Sequence, residues 1–173
     1  MANNPKVIYW DSCVFISAIQ QTSGRYEILR EILAAAQAGE IVILTSTLAI
    51  AEVVRIYPKD DATQSDKSSS DLLEDAKKIR SFFNNDYISV YQVDRGIAEK
   101  AAEISREYNL TPPDAIHIAT AIKRPCLHLQ TYDGEQNRRG KLLRFHNKIG
   151  YPLLQIIKPQ WPLPGMPQSL LLE

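Results

Sequence analysis

Four acidic side chains, Asp11, Glu52, Asp114 and Asp133, stand where an α/β fold could aim them at one point. Asp11 ends the apolar run Val7-Ile8-Tyr9-Trp10, and Glu52 interrupts the apolar helical stretch from Thr47 to Val54. Asp114 opens the stretch Thr111-Pro112-Pro113-Asp114-Ala115-Ile116-His117. Asp133 follows the run from Cys126 to Tyr132. Carboxylates that meet in space repel unless something cationic lies between them. Hard divalent cations that prefer oxygen ligands, Mg²⁺ or Mn²⁺, meet that need.

Each acid also has a plain structural reading. An aspartate at a strand end is often only a helix N-cap, although Ser12 beside it could cap instead and free Asp11. Glu52 shares a helical face with Ala49, Val53 and Ile56. A glutamate on such a stripe is costly unless paired or metal-bound, and Arg55 is its simplest ion-pair partner. Thr111-x-x-Asp114 resembles a capping box, and acids favour a helix N-terminus. His117, one turn later, reads as an ordinary core or surface histidine, or as a donor to a carboxylate or phosphate. Asp133 precedes Gly134, a common turn pairing, and Glu135 offers a further carboxylate. Thr131 could hold Asp133 or Asp11 through its hydroxyl.

The elements that must position these groups alternate. Strand patterns fall at Val7–Trp10, Ile41–Leu44, Tyr87–Tyr91, Cys126–Gln130 and Leu153–Ile157. One helix carries Tyr26, Leu29, Leu33 and Ala36 and stops at Gly39. A second is capped by Ser46 or Thr47 and ended by Pro58. Others run from about Asp71 to Phe83, from Asp94 to Tyr108, and onward from the Thr111 cap with Pro112 at its first position. Lys59 to Ser70 reads as a mobile polar loop, and Pro159 to Pro167 as irregular. Strands separated by helices imply an α/β fold with a central, mainly parallel sheet of about five strands and helices on both faces. Sites in such sheets form beyond the C-terminal strand ends, where the strand order reverses. Asp11 and Asp133 both lie just past strand ends.

A chain of 173 residues, 45% hydrophobic and 23% charged, suits one globular domain with a core that needs no disulfide. Cys13 and Cys126 read as small buried hydrophobes with no zinc spacing. No apolar run reaches the roughly 18 residues of a membrane span, and no signal-peptide core is evident, so a cytoplasmic location is expected. Net charge is zero, which argues against a general nucleic-acid coat. Yet six of the basic residues and one of the acidic ones lie between Gln136 and Glu173. Arg138, Arg139, Lys141, Arg144 and Lys148 form either a solvated helix face or a phosphate-contacting surface.

Taken in order, the acidic segments resemble the PIN-domain nucleases, the group that includes the VapC-type toxins. Ile8-Tyr9-Trp10-Asp11-Ser12-Cys13 is similar to that family's first strand, its acid followed by a small hydroxyl residue. Ser46 to Val53 is similar to its glutamate helix, and Pro113-Asp114-Ala115-Ile116-His117-Ile118-Ala119 to its Asp-Ala-x-x-x-Ala core. Leu129-Gln130-Thr131-Tyr132-Asp133 is similar to its last acid on a Thr-x-Asp turn. The loop Lys59 to Ser70 and the Pro-rich tail depart from the pattern without removing an acid.

The resemblance implies a three-layer α/β/α PIN-like domain over 1–158 and a Pro-rich tail over 159–173. It implies a metal-dependent endoribonuclease, with Asp11, Asp114, Asp133 and Glu52 as catalytic and Mg²⁺- or Mn²⁺-binding residues. Ser12 and Thr131 would fix the carboxylates, and Arg138, Arg139 and Arg144 would bind substrate RNA. The chain could be the toxin of a type II toxin–antitoxin pair, with a small antitoxin partner and homodimer formation. Two rival readings stand beside this one. The first is a non-catalytic PIN-like interaction module. The second is an aspartate-dependent phosphatase, which would want Asp-x-Asp where Cys13 stands.

Overall fold

The computed structural model describes residues 5–54, 56, 68–134 and 142–164. Five parallel strands form one sheet: β1 (Lys6–Trp10), β2 (Ile41–Ser46), β3 (Ile88–Tyr91), β4 (Leu129–Gln130) and β5 (Ile156–Ile157). Their order is β3-β2-β1-β4-β5. The chain therefore builds outward from β1 through β2 to β3, then returns to the other side of β1. The junction between β1 and β4 is the point where strand order reverses. There the C-terminal strand ends splay helices to both sides and leave a crevice. Tyr9 pairs with Leu44 on one side and Leu129 on the other, so β1 is the central strand.

Alternation along β1 assigns its side chains to two cores. Ile8 and Trp10 join Ile41, Ile43 and Ile88 in the core covered by α1 (Ser12–Ile19), α2 (Tyr26–Gln37) and α4 (Ser69–Phe83). Tyr9 joins Leu44, Leu129 and Ile156 in the opposite core, covered by α5 (Arg95–Tyr108) and α6 (Pro112–Lys123). This is the expected sheet with helices on both faces.

Several boundaries differ from the sequence pattern. The helix after β2, α3, spans only Thr47–Glu52 and not the stretch to Pro58. Val53 leaves helical geometry at φ −87° and ψ 79°, and the β-branched pair Val53-Val54 favours that exit. Glu52 is therefore the last helical residue, and Ile56 does not share its helical face. α4 starts at Ser69, earlier than Asp71, because Ser68 and Asp71 form a reciprocal capping box. β4 is shorter than Cys126–Gln130, although Leu127 N–H still bonds the Val7 carbonyl. β5 begins at Ile156 because Leu154 N–H and C=O instead bond Ile149 and Asn147 in the preceding turn. Gly39, at φ +77°, sits just past α2 as expected of a helix-stopping glycine. Arg55, Pro58, the polar loop over 59–67, Glu135, Arg138, Arg139, Lys141 and the tail from 165 onward lie outside the described residues.

The start of the Pro-rich segment is part of the core. Leu163 is buried in the α1–α2–α4 core, and Trp161 packs partly buried against it. A buried leucine truncated to alanine loses transfer free energy and leaves a cavity. Leu163→Ala should cost about 2–5 kcal/mol. Urea unfolding of the full-length variant measures this, and an unchanged midpoint would show that Leu163 does not contribute to folding.

Candidate active site at the strand ends

The chain leaves β1 at Trp10 and enters α1 at Ser12, which puts Asp11 at the helix N-cap. Its Oδ1 accepts hydrogen bonds from the Val14 backbone N–H at 3.2 Å and from Cys13 Sγ at 2.9 Å. Asp11, not Ser12, is therefore the cap, which leaves the Ser12 hydroxyl for other work. Capping does not remove Asp11 from the crevice. Its Oδ2 accepts from Thr131 Oγ1 at 2.5 Å, across the β1–β4 junction. Asp11 is only 4% exposed. Burial pushes its carboxyl above the ordinary carboxylate range, opposed by the charge of His117 and by hydrogen bonds from Cys13, Thr131 and Val14.

Thr131 links Asp11 to a second acid, because its Oγ1 also accepts from Asp133 N–H at 2.8 Å. Asp133 Oδ2 in turn accepts from Leu142 N–H at 2.9 Å, at the start of the 3₁₀ helix Leu142–Phe145. One hydroxyl thus fixes the first acid and the turn that presents the last. Cys13 Sγ supports the same corner by accepting from Tyr132 N–H at 3.1 Å.

The other two acids come from α3 and α6. Glu52 Oε2 accepts from Ser12 Oγ and from His117 Nε2, the latter at 2.9 Å. Burial pushes its carboxyl up, but the hydrogen bonds of His117 and Ser12, with the charge of His117, bring the balance below the ordinary range. Asp114 lies in the first turn of α6, where its Oδ2 accepts from Thr111 Oγ1 at 2.7 Å. Its carboxyl is raised by burial and by the nearby negative charges of Asp133 and Glu52, against the Thr111 hydrogen bond and the charge of His117. Thr111 caps α6 by accepting from Asp114 N–H. The Asp114 side chain meets the Thr111 hydroxyl and not its backbone N–H, so the capping box is only half formed. The same side chain feels two other acids.

All four acids therefore border one region, tied through Thr131, Ser12 and His117. They are not a closed ligand set: among the described residues, no three His, Cys, Asp or Glu side chains could together hold one ion. Among the described residues, no lysine or arginine pairs with Asp11, Glu52 or Asp114. Glu52 Oε1 and Asp114 Oδ1 accept no hydrogen bond from these residues either. Anionic oxygens with spare lone pairs and no lysine or arginine partner among the described residues fit a hard divalent cation, and they do not fit a soft one.

Arg144 lies on the exposed side of the 3₁₀ helix, its guanidinium over the Phe145 ring at 4.7 Å. Two site residues stand out more clearly in space than in sequence. His117 is buried, bonded to Tyr9 on one side and to Glu52 and Ser12 on the other. Its signal was the helical i, i+3 spacing from Asp114. Tyr9 gives no chemical signal in the sequence, because an aromatic residue within an apolar strand reads as core.

A family model described as the PIN domain matches residues 8–142. The chain belongs to the PIN domain family of nucleases. No curated protein matches it. Solved structures that share the fold include three from toxin–antitoxin systems. A toxin–antitoxin complex from Klebsiella pneumoniae is 21% identical, with a TM-score of 0.50, over 78% of this chain and 95% of that one. VapBC2 from Rickettsia felis, bound to a promoter DNA fragment, is 14% identical, with a TM-score of 0.57, over 87% and 96%. Mycobacterium tuberculosis VapC20, a Sarcin-Ricin loop cleaving toxin, is 15% identical, with a TM-score of 0.56, over 78% and 96%. No helix among the described residues is long and apolar enough to cross a membrane.

Proposed function

We propose that this chain is a divalent-cation-dependent endoribonuclease, acting at Asp11, Glu52, Asp114 and Asp133. The observation that carries this reading is the buried, hydroxyl-held Asp11 at the sheet's switch point, beside acids that feel one another's charge. Asp11, Asp114 and Asp133 would hold Mg²⁺ or Mn²⁺, with Glu52 helping to hold it or to orient the attacking water. Bound there, such an ion supplies Lewis acidity toward the phosphodiester and lowers the pKa of a coordinated water. Thr131 fixes Asp11 and the Asp133 turn, while Ser12 fixes Glu52. Glu52 Oε1 is the oxygen available to accept a proton from water. Arg138, Arg139 and Arg144 would neutralise the phosphate backbone of single-stranded RNA.

The fold shared with proteins solved as toxin–antitoxin complexes favours a toxin role in the cytoplasm, with a small antitoxin as partner. A homodimer fits the same reading. The direct test is cleavage of single-stranded RNA by the purified chain with Mn²⁺, with Mg²⁺ and with a chelator. Thermal unfolding is followed in parallel, since a ligand that binds only the folded state must raise the midpoint. At a concentration 100 times its dissociation constant, Mn²⁺ should stabilise the fold by about 2.7 kcal/mol. No cleavage and no Mn²⁺-dependent shift would leave the non-catalytic PIN-like module as the surviving account.

A further inference from the structure

Behind Glu52 lies a hydrogen-bonded chain that the acids alone do not require. Tyr9 and His117 are both buried, at 0% and 3% exposure, and come from the central strand and from α6. Tyr9 Oη lies 2.8 Å from His117 Nδ1, with the rings edge to face. His117 Nε2 lies 2.9 Å from Glu52 Oε2 and 3.1 Å from Ser12 Oγ. Resting on the reading of Glu52 as a site acid, this geometry has a directional consequence. An ionised carboxylate only accepts hydrogen bonds, so His117 Nε2 must carry the proton. In a neutral ring Nδ1 is then an acceptor, and Tyr9 is the group placed to donate to it.

We infer that Tyr9 is a positioning residue. By bonding His117 Nδ1 it anchors the imidazole ring with Nε2 on Glu52 Oε2, which leaves Oε1 as the working oxygen. Ser12 completes the hold, since its hydroxyl donates to the same Oε2. Without the Tyr9 hydroxyl the ring loses its anchor on the side of the central strand. Glu52 still requires the proton on Nε2, so the ring keeps its tautomer but can turn or shift, and its bond to Glu52 loosens. Partners that orient a site's acids in this way matter at roughly 10–100-fold in metal affinity or activity.

The test uses the full chain in three forms. In ¹⁵N-histidine-labelled wild type, without added metal, the His117 Nε2–H should be protected from solvent exchange by its bond to Glu52. In Tyr9→Phe the same proton should exchange faster, because the ring is no longer anchored. With Mn²⁺ and a single-stranded RNA oligonucleotide, Tyr9→Phe should lower the single-turnover rate and raise the half-saturating Mn²⁺, together by roughly 10–100-fold, while half-saturation by RNA stays unchanged. His117→Gln removes the ring that Tyr9 anchors, so at whatever rate this variant works, adding Tyr9→Phe to it should change nothing further. An unprotected Nε2–H in wild type, unchanged protection in Tyr9→Phe, or additive losses in the double variant would overturn the inference. If wild type neither cleaves RNA nor responds to Mn²⁺, the functional reading fails, and the exchange measurement still decides the role of Tyr9.

Discussion

Asp11→Asn should lose roughly a thousandfold or more in RNA cleavage, because transition-state stabilisation worth several kcal/mol depends on an intact metal site. The same variant should be at least as stable as wild type in chelator near neutral pH. Asparagine keeps an oxygen for the Val14 N–H and can donate to Thr131 Oγ1, so the cap and the cross-strand tie both survive. It removes a buried charge. Burial raises the folded-state pKa of Asp11 above its ordinary value of 3.8. Stability linked to such a raised group is fully present below the ordinary value and is lost as pH rises through the folded value. Wild type is therefore penalised at neutral pH, and the variant is not. The stability difference should shrink toward zero as pH falls below the ordinary value. Asp114→Asn should lose cleavage in the same way while staying folded. Full nuclease activity in both variants, after controls for contaminating RNase, would refute the assignment.

Phe15→Ala should destabilise the fold by about 3–5 kcal/mol. Phe15 is fully buried, and its ring meets Trp10 edge to face at 5.4 Å. It also meets Phe83 at 4.7 Å and Phe82 at 6.1 Å. Those contacts join the central strand to α1 and α4. Removing the ring deletes the aromatic contacts and leaves a cavity that rigid neighbours on β1 and α4 cannot fill by collapsing. α1 also begins at the Asp11 cap and carries Ser12, so a loosened Phe15 should weaken Mn²⁺-dependent stabilisation as well. Denaturant unfolding with and without Mn²⁺ reads both effects. A loss below about 1 kcal/mol would mean that the core repacks around the gap.

Much of the architecture was legible because local chemistry decided it. Alternating apolar strands and period-3.6 helices placed the α/β layers. Thr111 with Pro112, and Gly39 after Ala38, marked helix ends through rules that depend only on neighbouring residues. Boundaries failed where distant contacts competed with propensity. α3 stopped at Glu52, short of Pro58, because the Val53 side chain is buried in the core while its backbone turns out of the helix. The capping choice between Asp11 and Ser12 could not be made locally, since the Ser12 hydroxyl is engaged by Glu52, 40 residues away. Leu163 lies in a stretch without regular secondary structure, as its prolines indicate, and its side chain nevertheless joins the core.

By itself, the sequence determined which residues can do chemistry here: four acids in family order, a hydroxyl after the first and a threonine two before the last. Residue type and spacing are enough for that, because they set charge, donor inventory and helical face. Only the tertiary structure decided who holds whom. The reversal of strand order beside β1 brought Thr131 onto Asp11, and α6 crossing behind α3 brought His117 between Tyr9 and Glu52. Hydrogen bonds across 65 to 120 positions of chain depend on directions in space. Those directions arise only when both faces of the sheet are buried together.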